Sequence, residues 1–163
     1  MKTTSSSILC VALICICSFP AATSTAADTL KDKLRESGWD GIIGTWVDAD
    51  TQGTSAKVSY AWKIEERVIE VTSKMAERTT VALMGVNGKT GEVFHMGADS
   101  DGTSSLGKWE VEDSGDAVLG ILYTTVDGQE GGMSIRFHKQ GKDAVTMTIE
   151  LPQPIRVKLV RAK

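Results

Sequence analysis

Turn signals recur along this chain with a regularity that few folds accommodate. Asn87-Gly88, Asp101-Gly102, Ser114-Gly115, Asp127-Gly128 and Gln140-Gly141 follow one another every 13 or 14 residues. Such dipeptides supply the positive φ angles that tight hairpin turns require. Connections this short suit antiparallel neighbours, because a parallel crossover needs about a dozen residues or more. No proline falls between Pro20 and Pro152, so no strand in that interval is interrupted by a missing backbone donor. The intervals read as strands of an all-β fold. No side-chain repeat accompanies the beat, which sets aside a propeller or solenoid.

Ten strands are expected, over 42–48, 55–64, 67–75, 78–86, 92–98, 103–112, 116–125, 131–139, 143–151 and 155–162. Several alternate cleanly. Met133, Ile135 and Phe137 oppose Ser134, Arg136 and His138, and Val145, Met147, Ile149 and Leu151 oppose Ala144, Thr146, Thr148 and Glu150. Val58, Tyr60, Trp62 and Ile64 likewise oppose Lys57, Ser59, Ala61 and Lys63. Alternation of this kind puts one face in a core and the other in water. The seventh strand, with Val118, Leu119, Ile121 and Leu122, is apolar on both faces, so a cover over its outside is expected. An antiparallel meander of ten strands loses its edges by closing on itself, giving an up-and-down barrel. A barrel of about eight or more strands is wide enough to hold one small ligand.

The N-terminus reads differently. Lys2 precedes an apolar run from Ile8 to Phe19, Pro20 breaks it, and small residues follow as far as Ala27. That is the layout of a cleaved export signal over residues 1–27, cut after Ala26 or Ala27, and the run is shorter than the roughly 20 apolar residues a membrane span needs. All three cysteines, Cys10, Cys15 and Cys17, lie inside it, preceded by Leu9, Ile14 and Ile16 rather than the small residue that lipidation wants. Residues 28–163 then form a single cysteine-free domain, secreted or periplasmic, held together by its core alone. It carries 17 basic and 21 acidic residues, a net charge of about −4. Such a balance argues against nucleic acid as a partner, and no apolar run after the signal is long enough to span a bilayer. Asp28 to Ser37 reads as a short helix capped by Asp28 or Thr29 and ended at Gly38, with Leu30 and Leu34 on one narrow apolar face. A helix so short must dock, and a plug across one end of the barrel is the expected place.

Between helix and first strand runs Trp39-Asp40-Gly41-Ile42-Ile43-Gly44-Thr45-Trp46. Gly44-Thr45-Trp46 resembles the Gly-x-Trp signature of the calycin group, which includes lipocalins and fatty-acid-binding proteins. The whole stretch is similar to the opening of exported bacterial calycin-like domains of unknown function. The group carries an Arg or Lys on the last strand packed across the Trp, and Arg161, on one face with Ile155, Val157 and Leu159, is placed for that role. The resemblance thus implies a closure built from Gly44, Trp46 and Arg161. The second and third lipocalin motifs are absent. Val47-Asp48-Ala49-Asp50 follows Trp46 where the haem-binding nitrobindins have an extended glycine-rich opening, so haem is not implied and no cofactor is expected.

Chemistry-bearing motifs are scarce. His95 and His138 stand apart with no cysteine partner, and Asp99-Ser100-Asp101-Gly102 lacks the later ligands of a calcium loop, so no metal site is expected. There is no Gly-x-Ser-x-Gly elbow for nucleophilic catalysis. A general acid–base pair would have to come from Glu70, His95 or Tyr60, and Glu70 shares a face with Val68 and Thr72, away from the core face of Ile69, Val71 and Met75. Among the aromatic residues, Trp46 and Phe137 read as core. Trp62 and Trp109 stay open between core and cavity, and with Tyr60 and Phe94 make the candidate ligand contacts. Gly97, Ser105, Gly107 and Gly120 mark barrel corners or leave room beside larger rings. Three readings follow. The first is an exported module holding a small, mostly apolar ligand in the barrel. The second is an interaction or inhibitor domain with a filled core, favoured by the outward apolar residues of the seventh strand. The third is an isomerase- or cyclase-type barrel enzyme.

Overall fold

A computed structural model describes residues 28–163. The expected export signal and its expected cleavage site lie outside the described residues. Helix α1 (Leu30–Glu36) and a single 3-10 turn (Asp40–Ile42) precede ten strands. These are β1 (Gly44–Asp48), β2 (Ala56–Ile64), β3 (Val68–Met75), β4 (Arg78–Val86), β5 (Val93–Asp99), β6 (Ser104–Val111), β7 (Ala117–Thr124), β8 (Glu130–Lys139), β9 (Ala144–Glu150) and β10 (Ile155–Arg161). Each strand pairs antiparallel with its neighbours in sequence, and β1 pairs with β10, so the meander closes into one barrel with no free edge. Every strand lies where the alternation and turn signals put it, to within two residues at either end.

In four of the five turn dipeptides the glycine takes a φ between +81° and +99°. The exception is the β4–β5 connection. There Gly91, not Gly88, has the positive φ, and the Asn87 side chain accepts from the Lys89 amide, which makes the loop longer than a two-residue turn.

Three local expectations are corrected. The 3-10 turn occupies Asp40–Ile42, so β1 begins at Gly44 rather than at residue 42. Ile64 is solvent-exposed, because a register shift between Trp62 and Ile64 twists the end of β2 away from the interior, and Leu151 lies beyond the end of β9. The outside of β7 has no cover among the described residues, since α1 lies across the end of the barrel and not along its wall.

Helix α1 starts at Thr29, whose hydroxyl accepts from the Asp32 amide while the Asp32 carboxylate accepts from the Thr29 amide. It ends with paired bonds from the Gly38 amide to the Arg35 carbonyl and from the Trp39 amide to the Leu34 carbonyl, which satisfies its last carbonyls. Leu30 and Leu34 are buried in the main core. The Lys31 amide donates to the Glu66 carbonyl in the β2–β3 turn, and Trp39 Nε1 donates to the Gly115 carbonyl in the β6–β7 turn at 3.1 Å. The helix therefore stops one end of the barrel, where α1 and the even-to-odd turns meet. At the other end Asp48, buried at the close of β1, accepts from the Asp50 amide and from the hydroxyls of Thr51 and Ser55. Those bonds hold its carboxyl below the usual carboxylate range and pin the β1–β2 loop to the rim.

Candidate ligand cavity

Inward-facing residues of the ten strands do not fill the barrel. A cavity of about 480 Å³ occupies the half away from α1, with walls that include Val58, Val71, Leu119, Ile121, Met147 and Ile149. Its mouth is formed near Arg78, Asp99, Thr103 and Thr125, at the turns opposite the helix. Tyr60, Trp109 and Phe137 make a floor. The same three residues bound a smaller cavity of about 210 Å³ beneath α1, together with Leu34 and Trp39. The Trp109 and Phe137 rings lie 5.1 Å apart between centroids, tilted by 41°.

Small residues on β4 to β6 shape this space, but not by leaving it open. A Cβ at Gly97 would come within 2.7 Å of the Ala82 Cβ, and one at Gly107 within 2.4 Å of the Gly120 carbonyl oxygen. Gly97 and Gly107 are thus points where the wall bends and backbones close on each other. Gly120 faces open space on the outside.

The four sequence-derived ligand candidates fall in three different environments. Tyr60 and Trp109 line the cavity floor. Trp62 faces inward as the register partner of Ile69 but packs, half-buried, against the core beyond the cavity. Phe94 is on the opposite face of β5 from His95, and its ring lies on the outside of the barrel against Gly85. Phe94 therefore does not reach the interior; an aromatic laid over a facing glycine shields a stretch of wall that has no side chain of its own. Glu70 is also outside, paired with Lys63 at 2.9 Å.

His95 takes the inward position that Phe94 does not. It is 7% exposed, it is the register partner of buried Met84, and its ring meets Trp109 edge-on at 6.4 Å. Neither its Nδ1 nor the Trp109 Nε1 has a hydrogen-bond partner in the protein. Burial lowers the His95 pKa to about 4, so the imidazole is neutral at neutral pH. Burial likewise pushes the Tyr60 hydroxyl up, so it stays protonated. The floor is consequently a set of uncharged hydrogen-bonding groups set in apolar surroundings. Adjacent residues on a strand face opposite ways, so only one of Phe94 and His95 can be inward, and the sequence of β5 does not say which.

Outside the barrel, Leu83, Met96, Leu106 and Leu122 are consecutive register partners across β4 to β7, exposed by 36%, 46%, 63% and 72%. No group of three or more potential metal ligands occurs among the described residues, and no described helix is long and apolar enough to cross a membrane. Comparison of the chain with family models, with curated proteins and with solved structures yields no match.

Proposed function

We propose that this protein is an exported ligand-binding barrel of the calycin kind, which holds one small, mostly apolar molecule in its lumen. The observation that carries this reading is the cavity of about 480 Å³ with apolar walls and a mouth opposite the helix. Packed protein interiors leave few voids larger than a water molecule, whose share of liquid volume is about 30 Å³. A space many times that size, reached from solvent, suits a guest better than a packing defect. The Gly44, Trp46 and Arg161 closure supports the calycin part of the reading, and residues 1–27 support export.

An uncharged, environment-sensitive dye such as Nile red tests it. Saturable one-site binding with quenching of tryptophan fluorescence is expected, since Trp109 lies in the floor. Ile121→Trp, which projects a larger ring into the cavity, should abolish that binding while the fold persists. Unsaturable binding, or binding that Ile121→Trp leaves untouched, would move the reading to an interaction module. The exposed row from Leu83 to Leu122 is the observation that favours that second reading.

A further inference from the structure

The smaller cavity, of about 210 Å³, lies between α1 and the rings of Tyr60, Trp109 and Phe137, which separate it from the larger one. We propose that it is a binding site in its own right, for an uncharged molecule of a single aromatic ring that enters between α1 and the β4–β5 loop. This second site is distinct from the lumenal one and stands whatever the larger cavity holds.

Size and lining set the class of guest. An apolar cavity of about 150 Å³ is enough to bind benzene, so the volume beneath α1 admits one ring with a small substituent and has no room for a long chain. Four rings bound the space: Trp39 on the helix side and the three shared with the larger cavity. Aromatic rings meet one another favourably edge-on or offset, which suits a flat aromatic guest. The polar groups at the edge are already engaged. Lys33 pairs with Asp28 at 2.7 Å, the Ser37 hydroxyl donates to the Lys33 carbonyl at 2.8 Å, and Glu92 accepts from Lys108 and Thr90. A charged guest would surrender its hydration here without a counter-charge.

The bonds that hold the helix leave one side open. The Lys31 amide and ammonium both reach Glu66 in the β2–β3 turn, and Trp39 Nε1 reaches Gly115 in the β6–β7 turn. Lys139 Nζ, at the end of β8, donates to the Gly38 carbonyl at 2.7 Å. Among the described residues no hydrogen bond joins 28–39 to the β4–β5 loop, 87–92, which is the longest of the four connections at this end. Gly91 and Glu92 of that loop and Val111 at the end of β6 line the cavity and are exposed. Open space lies beside Gly91, where a Cβ would meet nothing within 4 Å. The cavity is therefore reached from solvent on the side where the helix is not tied.

Toluene, titrated at neutral pH by calorimetry and followed by amide shifts of isotope-labelled protein, tests the site. Saturable binding is expected, with shifts concentrated at residues 30–39, 87–93 and Ala117 rather than at Ser73, Thr80 and Thr125 near the mouth of the larger cavity. Ala117 lines only the smaller cavity and Ile121 only the larger. Ala117→Leu should therefore weaken toluene at least about tenfold, while Ile121→Trp should leave it within about twofold. Benzoate should bind at least about tenfold more weakly than toluene. Toluene binding lost in Ile121→Trp and kept in Ala117→Leu would put the ring in the larger cavity, overturning the second site and leaving the lumenal reading in place. No saturable binding to the wild type, or benzoate binding as tightly as toluene, would also overturn it. If Ala117→Leu does not fold, the wild-type shifts decide: shifts confined to the strands around the larger cavity overturn the proposal, and shifts at α1 and the β4–β5 loop uphold it.

Discussion

Arg161 lies across the Trp46 ring, its guanidinium carbon 4.4 Å from the ring centroid, and the two residues are register partners on the last and first strands. The same guanidinium donates through Nη1 to the Ile43 carbonyl at 2.9 Å and through Nη2 to the Gly41 carbonyl. Trp46 in turn donates from Nε1 to the Ile42 carbonyl at 2.7 Å. One stacked pair therefore ties β1, β10 and the 3-10 turn together at the seam of the barrel. Gly44 makes the approach possible: its φ is +125°, and a Cβ there would meet Arg161 Nη1 at 2.8 Å.

The stack and its carbonyl bonds set the size of the first expected effect. A cation–π contact contributes about 0.5–2 kcal/mol, and unpaired backbone carbonyls add about 1–3 kcal/mol to the loss on Arg161→Ala. Trp46→Ala should cost about 3–5 kcal/mol because it also opens a cavity. Arg161→Lys keeps the charge without the planar stack and should fall between wild type and Arg161→Ala. In a double-mutant cycle of Trp46→Phe and Arg161→Ala followed by chemical denaturation, the coupling should exceed about 0.5 kcal/mol. Strict additivity would mean that the pair contributes nothing as a pair.

His95 gives stability a pH dependence of a definite sign. Its folded pKa of about 4 lies below the ordinary 6.5, so the unfolded chain binds the proton more readily. The contribution is complete above pH 6.5 and is lost as pH falls through that value towards 4. A shift of that size corresponds to about 3 kcal/mol at its full extent. Urea midpoints measured across this range should fall with pH in the wild type, and His95→Phe should flatten the curve. The carboxyl of Asp48, held low by its hydrogen bonds, loses its contribution only at more acid pH, so the two effects separate. An unchanged slope in His95→Phe would show that His95 is not the group responsible.

Gly107 and Gly120 are register neighbours' sites on adjoining strands with opposite tolerance. Gly107→Ala places a methyl 2.4 Å from the Gly120 carbonyl oxygen and should destabilise the barrel by about 1–3 kcal/mol. Gly120→Ala meets nothing within 4 Å and should change stability by less than about 0.5 kcal/mol. Thermal or chemical denaturation of the two variants side by side checks the contrast; equal losses would mean the wall relaxes freely at Gly107.

Export is read out by mass. The export proposed above predicts a mature protein that begins at Ala27 or Asp28 and carries no lipid, which intact mass spectrometry checks. A membrane-bound form modified on Cys15 or Cys17 would overturn both the cleavage point and the soluble placement.

Much of the architecture is written locally in this chain. Glycine turn dipeptides, the absence of proline from residue 21 to residue 151, and period-two alternation each act over a few residues, so the ten strands and most of their inward faces could be read without knowing what each strand touches. Trp46 and Arg161 also belong to this class, because strand parity alone assigns each of them a face. The candidate site was only half legible for the same reason. Tyr60 is inward by parity in a cleanly alternating strand, whereas Phe94-His95 offers two bulky neighbours of which either can face in. Hydropathy favours Phe94 inside; the structure puts His95 there, because the β4–β5 register pairs His95 with buried Met84 and leaves Phe94 over Gly85. Trp62 shows the second limit, since facing inward does not say at which height along the axis a side chain falls or whether that level is hollow. The sequence by itself determined the strands and most of their faces, and the resemblance it carries implied the Trp46 and Arg161 closure. Only the tertiary structure decided that the barrel is hollow in one half and polar at its floor, because a cavity is what remains after side chains from many strands have been placed at one level, a sum that no single strand contains.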